Sequence, residues 1–142
     1  MENESGTGAE SDGREALAVL AEFERALDRG DFETAASLCL DDLTFFGSGM
    51  GEEATGPGSL ASMFTGLHER LSDVFLDWTL EFDSAPAVTV LGATAVVVAT
   101  GEGKLVVTDG ERTSRYLLTA VLHHTEAGWR IWVYHGSEPQ PW

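Results

Sequence analysis

The chain has 142 residues, with 24 acidic against 8 basic side chains, a net charge of −16, four histidines and one cysteine. That balance excludes a nucleic-acid or anionic-membrane binder, because both require clustered cations, and a lone Cys39 excludes an intrachain disulfide. No apolar run approaches the ~20 residues that span a membrane, and the acidic start MENESGTGAESDG lacks the apolar centre of a secretory leader, so a soluble, cytoplasmic protein of one domain is expected.

Residues 1–12 have little to bury and read as a mobile acidic tail. Ser11 or Asp12 can cap a first helix whose apolar stripe (Leu17, Leu20, Ala21, Phe23, Ala26, Leu27) ends at Gly30. Asp31 caps a short second helix, and Cys39 falls within its apolar pattern as a buried small hydrophobe. Leu43 to Gly47 reads as a short strand, and Ser48 to Gly58 as an exposed glycine-rich loop without the lysine of a phosphate-binding loop. Ser59 caps a third helix carrying Leu60, Met63, Phe64, Leu67 and Leu71. From Val74 the apolar period becomes two. Strands follow to Phe82, over Ala87–Leu91, over Ala93–Val107 with a bend at Gly101 and Gly103, and over Arg112–Thr125 and Trp129–Ser137. Asp109-Gly110 marks a hairpin turn. The domain is therefore expected over 13–139, with 140–142 as a tail. Helices followed by a long meander define an α+β fold, three helices on a curved, mainly antiparallel sheet.

The turns set the expected register. A loop of Glu126-Ala127-Gly128 pairs Thr125 with Trp129 and thereby Thr119 with His135; an Asp109-Gly110 turn pairs Thr100 with Thr119. One face then carries Val96, Val98, Thr100, Glu102, Leu117, Thr119, Val121, Ile131, Val133, His135 and Ser137. The other carries Tyr116, Leu118, Ala120, Leu122, Arg130, Trp132 and Tyr134. The His135 face, with aliphatics grading into polar groups, is expected to line a ligand cavity. The aromatic face is expected to be covered by a second subunit through Tyr116, Leu118, Trp132 and Tyr134; the less favoured alternative is that it forms the core of a monomer.

An imidazole is suited to proton transfer near neutrality, so His135 is the first candidate catalyst, with Thr119 across from it. Thr100, Glu102, Arg115 and Ser137 share its parity as candidate substrate contacts, and Phe45, Met63 and Trp78 can line the pocket or simply fill the core. His123 and His124 are adjacent on a strand and point to opposite faces, which argues against a shared metal ion. Asp41-Asp42 read as a junction and Glu52-Glu53 as a solvated loop. No metal and no cofactor is expected.

The segments LDRGDFETAASLCLDDLTFFGSG and GWRIWVYHGS resemble the SnoaL-like group of the nuclear transport factor 2-like superfamily, over about residues 14 to 139. The resemblance implies a cone-shaped α+β barrel with an apolar pocket at its wide end and dimerisation through the outer sheet face. The superfamily includes cyclases, isomerases, dehydratases and non-enzymatic binding or assembly modules. Against its ketosteroid isomerase-like members, Gly47 falls where they carry a base aspartate and Phe23 where they carry a tyrosine. The expectation is a cofactor-independent cyclase, isomerase or dehydratase acting on an apolar polyketide-like or terpenoid-like molecule with His135 as acid/base. The alternative is a dimeric ligand-binding or assembly module without turnover.

Overall fold

Alternating apolar residues in the second half of the chain build a sheet that has one face to bury, and the N-terminal helices supply the cover. The computed structural model describes the backbone of residues 2–140 and the side chains of residues 8–140. Its elements are α1 (Glu2–Asp28), α2 (Phe32–Ser37), β1 (Cys39–Phe46), β2 (Glu53–Thr55), α3 (Pro57–Leu71), β3 (Phe75–Phe82), β4 (Ala87–Leu91), β5 (Thr94–Val107), β6 (Gly110–Thr125) and β7 (Gly128–Ser137). The seven strands form one sheet in the order β2-β1-β7-β6-β5-β3, with β4 also paired to β5. Only β1 and β7 run parallel. The expected α+β architecture is present, and the sheet is open rather than a closed barrel.

α1 lies across the inner face and buries Ala16, Leu20, Phe23 and Ala26 there. Burying a phenylalanine such as Phe23 contributes roughly 2–3 kcal/mol. The helix starts at Glu2, upstream of the expected Ser11 or Asp12 cap. Its early turns have a partner: a Cβ on Gly13 would stand 3.2 Å from Val88 Cγ1 of β4. The helix closes at Gly30, whose φ of 77° suits a residue without a Cβ. Asp31 caps α2 as expected, its carboxylate accepting from the Thr34 amide at 3.2 Å.

Three local expectations need correction. Cys39 opens β1 instead of continuing α2, because α2 ends at Ser37 and the Leu38 amide turns back to the Ala35 carbonyl at 3.2 Å. Cys39 is buried, as expected, and burial pushes its thiol up to about 12. The glycine-rich segment contains the short strand β2, paired with β1. α3 begins at Pro57 after Gly56, two residues before Ser59, using the proline's preset φ and lack of an amide hydrogen. Pro141 and Trp142, in the expected C-terminal tail, lie outside the described residues.

The hairpin register reaches the expected Thr119–His135 pair by another route. The turn holds only Glu126 and Ala127, since Thr125 pairs with Gly128. A bulge at Trp132, between the Leu122–Ile131 and Val121–Val133 pairs, restores the offset. In the β5–β6 hairpin Val107 pairs with Gly110, so Thr119 faces Val98 and Thr100 faces Leu117. This two-residue shift preserves parity, so the two sets of side chains stay together on β5 and β6.

Their direction is the reverse of the expectation. Tyr116, Leu118, Ala120, Leu122 and Tyr134 are buried against the helices, together with Ala95 and Val97. The set containing Val98, Thr119 and His135 faces outward. The physical reason is steric. The inward face carries Ala95, Ala99, Gly101, Gly103, Ala120 and Gly136, which let a helix and large rings approach the sheet. The bulge also separates neighbours: Ile131 is fully buried, whereas Trp132 is 42% exposed. Tyr116, Leu118 and Tyr134 are thus core, and of the expected interface residues only Trp132 is on the outer surface.

Candidate functional site

One acid interrupts the apolar stripe of α1. Ala16, Leu20 and Glu24 are spaced four apart, which sets all three on one side of the helix. Phe23, beside Glu24, packs against Phe45 and Tyr134 at ring-centroid distances of 6.4 and 5.4 Å. This docking brings the Glu24 carboxyl to the inner face of β7, where the Tyr134 hydroxyl donates to it at 2.6 Å. Tyr134 is stacked on Phe45 of β1 with 5.0 Å between ring centres. Three elements therefore hold one phenol–carboxyl pair in place.

Burial raises Glu24 to about 7, only partly opposed by the hydrogen bond from Tyr134; the nearby Asp28 adds to the rise. Burial also lifts Tyr134 well above its ordinary range and Tyr116 to about 12, and Glu24 reinforces both rises. The tyrosines consequently keep their protons at neutral pH, as hydrogen-bond donors. Glu24 is poised to hold or release one.

Tyr116 extends this pair. Its hydroxyl lies in the space that a Cβ on Gly136 would occupy, beside Tyr134. Trp78 of β3 meets Tyr116 edge-on at 5.8 Å, and its ring lies over Gly103, again where a Cβ would intrude. The glycines are seats for these two rings. Glu52 approaches from the glycine-rich loop, folded back so closely on Gly47 and Gly49 that neither could carry a side chain without displacing it. Its loop is closed by hydrogen bonds from the Gly47 amide to the Glu52 carbonyl at 2.6 Å and from the Glu52 amide to the Gly49 carbonyl at 3.2 Å. Burial raises the Glu52 carboxyl, opposed by a bond from the Gly49 backbone, with Glu138 adding to the rise. Glu138 in turn accepts from the Ser114 hydroxyl at 3.1 Å.

The expected site residues divide between the two faces. Phe45, Met63 and Trp78 belong to the inner side, Phe45 in the core and the other two packed against it. Thr119 and His135 are paired but exposed on the outer side, where Phe46 meets the His135 ring at 5.4 Å. Thr100, Glu102, Arg115 and Ser137 also have outward parity. Arg115 is engaged there: its guanidinium donates to both Asp83 oxygens at 2.9 and 2.7 Å, and Thr100 donates to Asp83 at 2.7 Å. Arg115 first, and then Thr100, holds Asp83 down at about 2. Glu24 is a functional candidate that periodicity alone does not mark, its signal being the acid within the α1 stripe, while Tyr116 and Tyr134, expected at a subunit interface, and Glu52, expected in a solvated loop, join it on the inner side.

Two surface depressions, of ≈ 420 Å³ between α1 and β4 and ≈ 670 Å³ between α2 and α3, lie away from this chemistry. The first is lined by Leu17, Val88 and Val90 and the second by Asp31, Phe32 and Glu69; neither joins a raised carboxyl to phenol donors. Among the described residues no group of three His, Cys, Asp or Glu side chains could hold a metal ion, and no helix is long and apolar enough to cross a membrane.

Residues 16–141 match the model of the SnoaL-like domain, so the chain belongs to the SnoaL-like family. No curated protein matches it. Its fold is that of the nuclear transport factor 2-like superfamily. A nuclear transport factor 2-like protein with a cystatin-like fold from Novosphingobium aromaticivorans is similar at TM-score 0.79 and 20% identity, over 100% of this chain and 92% of that one. A ketosteroid isomerase-like protein from Erwinia carotovora atroseptica is similar at TM-score 0.72 and 22% identity, over 92% and 98%. The S. rosetta CaMKII hub is similar at TM-score 0.71 and 26% identity, over 89% and 96%.

The raised Glu24 carboxyl has a thermodynamic signature. A shift from 4.5 to about 7 penalises the ionised form by roughly 3 kcal/mol. The folded state binds this proton more tightly than the unfolded state, so the group's contribution to stability falls as pH rises between these values. Glu24→Gln keeps an acceptor for Tyr134 and removes the penalty. In urea unfolding it should match the parent at pH 4 and exceed it by about 1–3 kcal/mol at pH 8; an equal difference at both pH values would contradict the assignment.

Proposed function

We propose that the protein is a cofactor-independent acid–base enzyme of the isomerase, cyclase or dehydratase type, acting on a small, largely apolar molecule at the inner face of the sheet. The observation that carries this reading is the Tyr134–Glu24 hydrogen bond, which joins a phenol donor to a carboxyl with pKa about 7. A general acid or base works best when its pKa lies near the working pH. Phenols that stay protonated are suited to stabilising developing negative charge on a carbonyl oxygen. In this reading Glu24 moves the proton, Tyr134 fixes its orientation, and Tyr116 donates to the substrate oxygen against the Trp78 ring. The acid–base role thereby passes from His135, which is exposed on the outer face, to Glu24.

The class is consistent with one fold neighbour being described as ketosteroid isomerase-like. Proton transfer next to a carbonyl can be followed without knowing the natural substrate. In D₂O at pH 7, the full-length protein should accelerate hydrogen–deuterium exchange at the activated methylene of 2-tetralone. Glu24→Gln should lower the enzyme-dependent rate by about 10²–10⁴-fold while leaving the fold intact by circular dichroism. Equal exchange with the variant would remove Glu24 from the chemistry.

The outer face supports a homodimer in the same proposal. Phe46, Val98, Leu117 and Trp132 are 40%, 49%, 40% and 42% exposed, and Val96, Val121 and Val133 lie between them, half-buried. An outer sheet surface with these apolar side chains around Thr119 and His135 calls for a cover, and a second copy offers a matching one by two-fold symmetry. Leu117→Glu should convert a dimer into a monomer in sedimentation without changing secondary structure; a parent protein that sediments as a monomer would overturn this interface.

A further inference from the structure

We infer that the homodimer formed through the outer face is gated by pH, loosening on mild acidification because His135 and His123 lie on the surface that the second copy covers. The inference rests on the reading of that face as the subunit interface, and it adds the regulation of that interface. One row of the ladder runs across the face. Glu53 of β2 pairs with Phe46 of β1, Phe46 with His135 of β7, His135 with Thr119 of β6, and Thr119 with Val98 of β5. His135 is exposed in the middle of this row, its ring edge-on to Phe46 at 5.4 Å. The row beside it is aliphatic, with Val133, Val121 and Val96 paired in turn. His123 follows Val121 by two residues on β6 and shares its face. The His123 ring meets Trp132 edge-on at 6.2 Å, and its Nδ1 is buried without a hydrogen-bond partner. The exposed apolar groups Phe46, Val98, Leu117 and Trp132 surround the two imidazoles, so a copy that covers those groups covers both.

A neutral imidazole can be covered by apolar groups at small cost, whereas an imidazolium taken out of water needs a carboxylate beside it. The ladder supplies none. His135 is flanked by Phe46 and Thr119, and Glu53 stands beyond Phe46. His123 is paired with Thr94 on β5 and with Arg130 on β7, whose charge has the sign of the proton it would take. Asp41 and Asp42 lie in the irregular stretch of β1 between the Cys39–Ile131 and Thr44–Val133 pairs, with β7 between them and His123. At the sheet edge Asp83 is already held by Arg115 and Thr100, and Glu102 is paired with Arg115 and Glu81. Among the described residues neither imidazole forms an ion pair. A copy related by two-fold symmetry brings the same apolar centre to the contact. The dimer therefore holds fewer protons than two separate copies, and its stability falls as pH drops through the range where imidazoles ordinarily gain a proton, about 6.5. The overall charge acts in the opposite sense, because copies of net charge −16 repel one another and acid lessens the repulsion. High salt separates the two effects: at 1 M the screening length is about 3 Å, which removes the repulsion and leaves the desolvation.

The test is sedimentation equilibrium of the full-length protein at pH 8 and pH 5.5 in 1 M NaCl, with circular dichroism at both to establish that the fold is retained. The dimer should be at least ~100-fold weaker at pH 5.5, a factor of about ten for each copy's His135. His135→Gln has a polar side chain that takes no proton, and it should dimerise at pH 8 and lose about 100-fold of the weakening. His135→Gln combined with His123→Gln should give one dissociation constant at both pH values. A parent dimer equally tight at both pH values, or a weakening that persists in the double variant, would overturn the gate while leaving the interface standing. A parent that is monomeric at pH 8 would overturn the interface as well.

Discussion

The hydrogen bond from Tyr134 to Glu24 joins the helix layer to the sheet at a part-buried polar point beside the aromatic core. Its 2.6 Å length depends on α1 lying close to β7, which depends on Phe23 packing against the stacked Phe45 and Tyr134 rings. The two energies are of the same order. Ionising Glu24 costs roughly 3 kcal/mol, and burying Phe23 returns about as much from the next residue. A helix docked by its apolar stripe can therefore hold a carboxyl in a place where charge is unwelcome. The same desolvation that makes Glu24 costly gives it a pKa useful near neutrality. The glycines at 103 and 136 serve the same end on the sheet side, because the Trp78 and Tyr116 rings lie across the strands only where no Cβ stands in the way.

The sheet divides its work between two faces. The inner one combines large rings, small residues and a few carboxyls. The outer one is a patch of aliphatic and aromatic groups with Thr119 and His135 in its midst. Arg115, Asp83 and Thr100 form a closed ionic cluster at its edge, leaving Arg115 already partnered. Such an arrangement allows an apolar outer face to be covered by another copy while the inner face keeps its chemistry, and a fold of this kind can carry many functions on one frame.

Much of the architecture was legible in the residues. The change of apolar period after Val74 separated helices from strands, Asp31 and Gly30 marked their positions, and the segments around Asp31 and Trp129 pointed to the family that the domain match establishes. The pairing of Thr119 with His135 was also readable, although by two deviations that cancel: a turn one residue shorter than expected and a bulge at Trp132. What was not legible was which face turned inward. Alternation gives two faces but not their direction, and polar groups near one end drew the reading toward His135. The decisive signal was size. Ala95, Ala99, Gly101, Gly103, Ala120 and Gly136 share a face because something must approach it closely. Glu24 was hidden for a related reason. A single acid in a helical stripe looks like an irregularity until the strand opposite supplies a phenol. Glu52 looked solvated because its glycine neighbours suggest mobility, whereas here they make room for its side chain.

The most direct measurement is the titration of the Glu24 carboxyl itself, followed by carboxyl-carbon NMR in the full-length protein with selectively labelled glutamate and Glu24→Gln for assignment. The account predicts a midpoint near 7, displaced to still higher pH in Tyr134→Phe because the hydrogen bond that favours the carboxylate is gone. A midpoint at the ordinary value of 4.5, unmoved by loss of the Tyr134 hydroxyl, would contradict it.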